Sequence, residues 1–324
     1  EKLNKLTAEQ AELDSAVAAN SIQEQIAQLF VQILYSKEAI EVNKHTLETS
    51  KKNEERGKEF LKVGSMSKAD VAQLTAQRAQ DEFALVQAES NLRDYKRQLK
   101  QLLQIIDDDF DVATPETTDA MALQVIPSVS SVYNKALATR PEIKNALLGL
   151  QSSDLQLKIA KAGKLPSVSM NAGVSTNTTS MNDNNWGQQL KNNFTLGGGL
   201  TLSIPLFDQR RTKTAVNKAI LQMQSYQLDL LNQQTTLHST IENYWLQATN
   251  NQAQFKSAKT STESAQASYE LLSEQFRQNL KNVIELMNGK NTLLQAQQNE
   301  LQAKYLTILN INLLKFYEDG TLNK

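Results

Sequence analysis

His45 and His238 are the side chains best suited to acid–base or metal chemistry near neutral pH. Each falls in a helical pattern without a nearby metal-type partner, so both read as surface or core-edge residues. Asp107, Asp108, Asp109 and Asp111 suggest calcium. Their spacing lacks the alternate ligands and the Gly of an EF-hand, so a solvated linker is the better reading. Gly197-Gly198-Gly199 lies inside an alternating pattern, where Gly permits a bend or a close strand approach rather than phosphate binding. There is no phosphate loop, nucleophile elbow or HExxH. With zero Cys there is no thiolate chemistry and no disulfide. No catalytic centre, metal or other cofactor is expected. The remaining candidates are charges at two helix starts. Asp70 stands three residues after Ser67, Glu285 stands three after Asn282, and Lys281 sits beside the second.

The elements that position them are long. The 324 residues include only 11 Gly, 5 Pro and 6% aromatics, which suits extended helices. Residues 1–62 contain no Pro, and Ile22, Ile26, Leu29 and Ile33 repeat at helical spacing. This helix stops at Val63-Gly64-Ser65-Met66, where Gly64 is the natural C-terminal cap. A second begins at once from Ser67 with Asp70 in capping-box position and runs to about Gln104. Its seam Leu85, Ala88, Leu92, Tyr95, Leu99 and Leu102 is interrupted lower down by Arg78 and Asp81. So short a turn implies an antiparallel hairpin. After short helices at 128–139 and 141–161, a helix from about Gln209 to Arg277 spans on the order of 100 Å. It turns at Gln278-Asn279-Leu280-Lys281 and restarts at Asn282, ending near Gly320. A shift of 215 residues superposes Gly64 on Asn279, Ser67 on Asn282 and Asp70 on Glu285, so the helical hairpin is duplicated.

Between the copies the period changes to two. Val168, Met170, Ala172 and Val174 alternate with Ser167, Ser169, Asn171 and Gly173, and the pattern returns over Phe194–Leu206. Each run matches the ~9–11 residues of a tilted membrane strand. Val168, Met170, Ala172, Val174, Leu200, Leu202 and Ile204 are expected to face lipid, with Ser169, Asn171, Thr201 and Ser203 toward a lumen. Thr176–Asn193 reads as a polar outer loop. No segment has 18 consecutive apolar residues, so no transmembrane helix is expected. The net charge of −1 gives no case for nucleic acid. The chain divides into 1–105, a hairpin with its tip near 63–67; 106–163, linker and short helices; 164–207, the strand pair; and 208–324, a hairpin with its tip near 278–282.

These residues resemble the TolC-type outer-membrane efflux family. The match rests on Phe60–Val71, on the degenerate tip at 276–288, on Leu165-Pro166-Ser167-Val168-Ser169, and on Ile204-Pro205-Leu206-Phe207-Asp208. The resemblance implies a mainly α fold with a membrane β-hairpin. Coiled-coil hairpins would build a periplasmic α-barrel, and strands would join a trimeric outer-membrane β-barrel. It implies a homotrimer, a periplasmic adaptor, an inner-membrane pump and contact with outer-membrane lipid. Val63, Gly64, Ser65, Asn279, Leu280 and Lys281 would dock the adaptor. Asp70, Phe276, Lys281, Glu285 and Asn288 would fall at the constriction, with Asn288 in place of an acidic residue. An Asp70–Lys281 link would hold the tips closed, and three Glu285 carboxylates would favour cations. The first strand pair with its leading helix is expected before Glu1, and a signal peptide is absent or was removed. The function implied is a passive exit duct for efflux or type I secretion. A helical pore-forming toxin with a β-hairpin tongue, a purely structural coiled-coil protein and a periplasmic adaptor remain alternatives.

Overall fold

The computed structural model describes residues 1–107, 110–113, 115, 117–181 and 183–320; Asp108 and Asp109 of the acidic stretch lie outside them. In chain order the elements are α1 (Lys2–Lys62), α2 (Lys68–Leu102), α3 (Asp119–Ala122), α4 (Val129–Thr139), α5 (Pro141–Ala162), β1 (Ser167–Ser175), α6 (Trp186–Asn192), β2 (Thr195–Ser203), α7 (Arg211–Arg277) and α8 (Val283–Asp319). Among the described residues the fold is mainly helical with one antiparallel strand pair, as the patterning implies.

Residues 1–10 with 146–231 form one compact unit. Its strands pair Val168 with Leu202, Met170 with Leu200, and Val174 with Leu196. Apolar residues therefore meet apolar residues across the ladder, and Ser169 meets Thr201 on the other face. Both faces of both strands are exposed within the chain. A Cβ on Gly199 would stand 3.0 Å from Asn171 Oδ1, so the glycine run admits a close side-chain approach. β2 stops at Ser203, so Ile204, placed in the strand by its alternation, lies one residue past it. Pro205 lacks the N–H to continue the ladder.

The polar loop departs from expectation by containing α6. Asn185 caps this helix, and buried Gln189 ties it down, accepting from Thr179 N at 2.8 Å and donating to Asn184 O at 2.7 Å. Below the strands, Gly149 on α5 lets Tyr226 of α7 approach, since a Cβ there would stand 3.2 Å from the ring.

Residues 11–145 with 232–324 form the second unit. α1 runs beside α8, with Val31, Leu34, Leu301 and Tyr305 buried between them. α4 and the start of α5 close another core on α7 and α8, where Val132, Ile143, Ile241, Ile311 and Leu314 meet. Arg140, just before Pro141, packs over the Tyr317 ring at 4.0 Å and reaches Glu24 and Glu142. Asp111 of the acidic stretch pairs with Lys96 at 2.7 Å, which lowers its carboxyl pKa.

Candidate functional site: two capped turns

Both helical turns have the same construction. At the first, Gly64 takes φ +76°, its N–H donates to Leu61 O at 3.1 Å, and Ser65 N donates to Phe60 O at 2.9 Å. At the second, Asn279 takes φ +59°, its N–H donates to Phe276 O at 3.0 Å, and Leu280 N donates to Gln275 O at 2.9 Å. This pair of bonds satisfies the last carbonyls of a helix through one left-handed residue. Each following helix opens with a reciprocal capping box. Ser67 and Asp70 exchange bonds at α2, and Asn282 and Glu285 exchange them at α8.

The turns are presented rather than packed away. Val63 is 76% exposed and Leu280 69%, and a Cβ on Gly64 would meet nothing within 4 Å. Behind them is a shared apolar core. Leu74, Tyr269, Phe276, Val283 and Leu286 are buried together, with Phe60 and Met66 against them. The Phe60 and Phe276 rings lie 6.1 Å apart. The two turns thus rise side by side from one packed base.

Two of the residues expected at the constriction have well-defined surroundings in the chain. Phe276 is 1% exposed and packs inside this base, because its helix face turns toward Phe60 and Leu286. Lys281 bridges Glu285 at 2.5 Å rather than Asp70, because the pair sits four residues apart near the start of one helix. Asp70 instead accepts from Ser67 Oγ at 2.7 Å. Lys281 lowers the Glu285 pKa, and the Asn282 N–H adds to the shift. Asn288 is exposed on α8. Sequence reading missed Gly57 and Gly289. A Cβ on Gly57 would stand 2.5 Å from Leu74 Cδ1, and one on Gly289 2.6 Å from Leu272 Cδ1. A glycine in mid-helix with no turn residue near it is the signal for such an approach.

The chain combines an exposed antiparallel strand pair with two capped turns that join long helices. The sequence profile of the family described as outer membrane efflux protein matches residues 132–316, more than half of the chain. The chain belongs to the outer membrane efflux protein family, and membership places it at the outer membrane with a long periplasmic extension.

Outer membrane efflux protein BepC of Brucella suis is 22% identical over 246 residues, covering 76% of this chain and 51% of BepC. The chain thus spans about half the length of this curated relative. Among solved structures, CusC is similar with a TM-score of 0.84 at 14% identity, covering 98% of this chain and 73% of that one. The Campylobacter jejuni CmeC outer membrane channel gives 0.80 at 19% identity, covering 99% and 67%. The Neisseria gonorrhoeae MtrE outer membrane channel gives 0.78 at 14% identity, covering 98% and 69%. None of these likenesses favours the toxin, adaptor or plain coiled-coil alternatives.

Proposed function

We propose that the chain forms the tunnel and part of the barrel of a passive outer-membrane exit duct for small-molecule efflux. The observation that carries this reading is the strand pair. Its two apolar rows are in register and uncovered on both faces, so β1 and β2 need lipid on one side and further strands at their edges. Val168, Met170, Ala172, Val174, Leu200 and Leu202 face lipid in this reading, as does Ile204 just past the strand.

A homotrimer is supported by an uncovered helical stripe. Leu221, Leu228 and Leu231 of α7 are all more than half exposed at heptad spacing, a seam suited to a neighbouring copy. The turns Val63-Gly64-Ser65 and Asn279-Leu280-Lys281 dock a periplasmic adaptor, which links the duct to an energised inner-membrane pump. Their exposure and rigid capping suit a docking surface. Asp70, Glu285 and Asn288 lie within reach of a lumen near that end. The duct performs no catalysis and takes no cofactor.

The test is efflux of a dye from cells that rely on this duct. At Gly64 a Cβ meets nothing within 4 Å, so Gly64→Trp strains the left-handed backbone locally and puts an indole on the docking turn; trimer and membrane insertion should persist while efflux falls to background. Normal efflux from the inserted variant removes the docking reading.

A further inference from the structure

Two heptad seams are interrupted by charge near the turns. On α2, Val71, Leu74, Arg78, Asp81 and Leu85 step by three and four, and Asp81 stands where an apolar residue belongs. On α8, Val283, Leu286, Lys290 and Leu293 step the same way, and Lys290 takes an apolar position. In the folded chain these two interruptions meet. Lys290 Nζ donates to Asp81 Oδ2 and, at 2.9 Å, to Ser50 Oγ of α1. Ser50 Oγ donates to the same Asp81 oxygen, and Gln77 Nε2 donates to the other at 3.0 Å. Both charged side chains are 5% exposed. Burial pulls the Lys290 pKa down, and Asp81 opposes that shift.

α2 belongs to the first helical hairpin and α8 to the second, so the contact ties one copy to the other. Its position matters more than its strength. Seams of Leu and Val slide past one another at modest cost, whereas a buried polar pair penalises every register but one. A slip of α8 by one turn, about 5.4 Å, would set Leu286 or Leu293 against Asp81 and leave each buried charge without its opposite charge.

We propose that Asp81, Lys290 and Ser50 form a register lock between the two helical hairpins. The lock holds the Gly64 and Asn279 turns in a fixed relation and presents them as one composite surface. The use of that surface rests on the docking reading above; the lock itself does not.

The absence of Cys allows a direct test. Ser65→Cys and Leu280→Cys place one spin label on each turn, in full-length chain diluted into unlabelled chain. Pulsed electron spin resonance then reads the distance between them. The otherwise unaltered protein should give one narrow population. Asp81→Leu combined with Lys290→Leu should fold, because well-packed apolar replacement of a buried pair is tolerated. It should nevertheless add a second population, displaced by about 5 Å or one helical turn. Should that variant not assemble, Asp81→Asn combined with Lys290→Met, which strands no buried charge, decides by the same readout. A single narrow population in the folded variant overturns the lock. The distances are read without any adaptor, so a duct that docks nothing would leave this result unchanged.

Discussion

The two helical hairpins solve one packing problem with exchanged residues. Under the 215-residue shift, Gly57 corresponds to Leu272 and Leu74 corresponds to Gly289. In the first copy the glycine is on the incoming helix and receives Leu74 of α2. In the second it is on the outgoing helix and receives Leu272 of α7. The would-be Cβ contacts are nearly equal, 2.5 Å and 2.6 Å. The turns show the same economy, with Gly64 in one copy and Asn279 in the other carrying the same left-handed bend. The repeat therefore retains a close helix approach below a capped turn, and either helix can supply the missing side chain.

The harshest way to break this equivalence is to fill the gap. Gly57→Leu places a branched side chain against Leu74 and should destabilise by about 1–3 kcal/mol through overpacking. Gly57→Leu with Leu74→Gly reproduces the arrangement of the second copy. It should recover part of the loss, less the ~1 kcal/mol that a mid-helix glycine costs. Thermal melting of the assembled protein orders the three chains. A double variant no better than the single would show that the copies are not interchangeable.

A smaller effect separates the turns themselves. Gly64→Ala meets no neighbour, so its cost is the left-handed backbone alone, about 1–2 kcal/mol. Asn279 already bears some of that cost, so Asn279→Ala should lose less and Asn279→Gly should gain. Melting of the three variants checks the ranking. Equal losses at both positions would mean that asparagine bears none of the left-handed cost and matches glycine in the bend; no loss at Asn279→Ala would mean that its side chain contributes nothing.

What was legible in the sequence is what is local. Gly64 bonds back to Leu61, and Ser67 and Asp70 satisfy each other, all within a few residues, so spacing alone reveals the turn and its copy. The alternation of β1 and β2 is equally direct, because every second side chain shares a face. The Lys281–Glu285 bridge was legible too, at a spacing of four, but a tertiary link to Asp70 was expected in its place. The burial of Phe276 was not legible because it depends on Phe60, which lies 216 positions earlier. α6 escaped notice because polar Gln189, not an apolar stripe, anchors it. Asp81 was visible as a break in a seam, while its partner Lys290 is a second break that only the folded chain brings alongside.

The mildest distinction between the copies is their response to acid. Glu54 of α1 corresponds under the shift to Tyr269 of α7. Glu54 is buried, 2.8 Å from Lys58 Nζ and 2.7 Å from Arg78 Nε, and it accepts from Thr75 Oγ1 at 2.9 Å. Lys58 is the main cause that lowers its pKa below 4.5; burial opposes the shift, and Thr75 and Arg78 add to it. A carboxyl depressed in the folded state binds fewer protons there than in the unfolded chain. Its contribution is therefore full above pH 4.5 and is lost as pH falls through its folded value. Tyr269, whose pKa burial raises, stays neutral throughout that range. Acid should thus loosen the first hairpin at a level where the second has no titrating counterpart. Hydrogen exchange between about pH 5 and pH 3 should show protection near Thr75 falling faster than protection near Tyr269. Glu54→Gln should flatten the fall at Thr75, and Tyr269→Phe should leave it unchanged. If Glu54→Gln retains the full slope, other carboxylates carry the acid response and the two copies do not differ there.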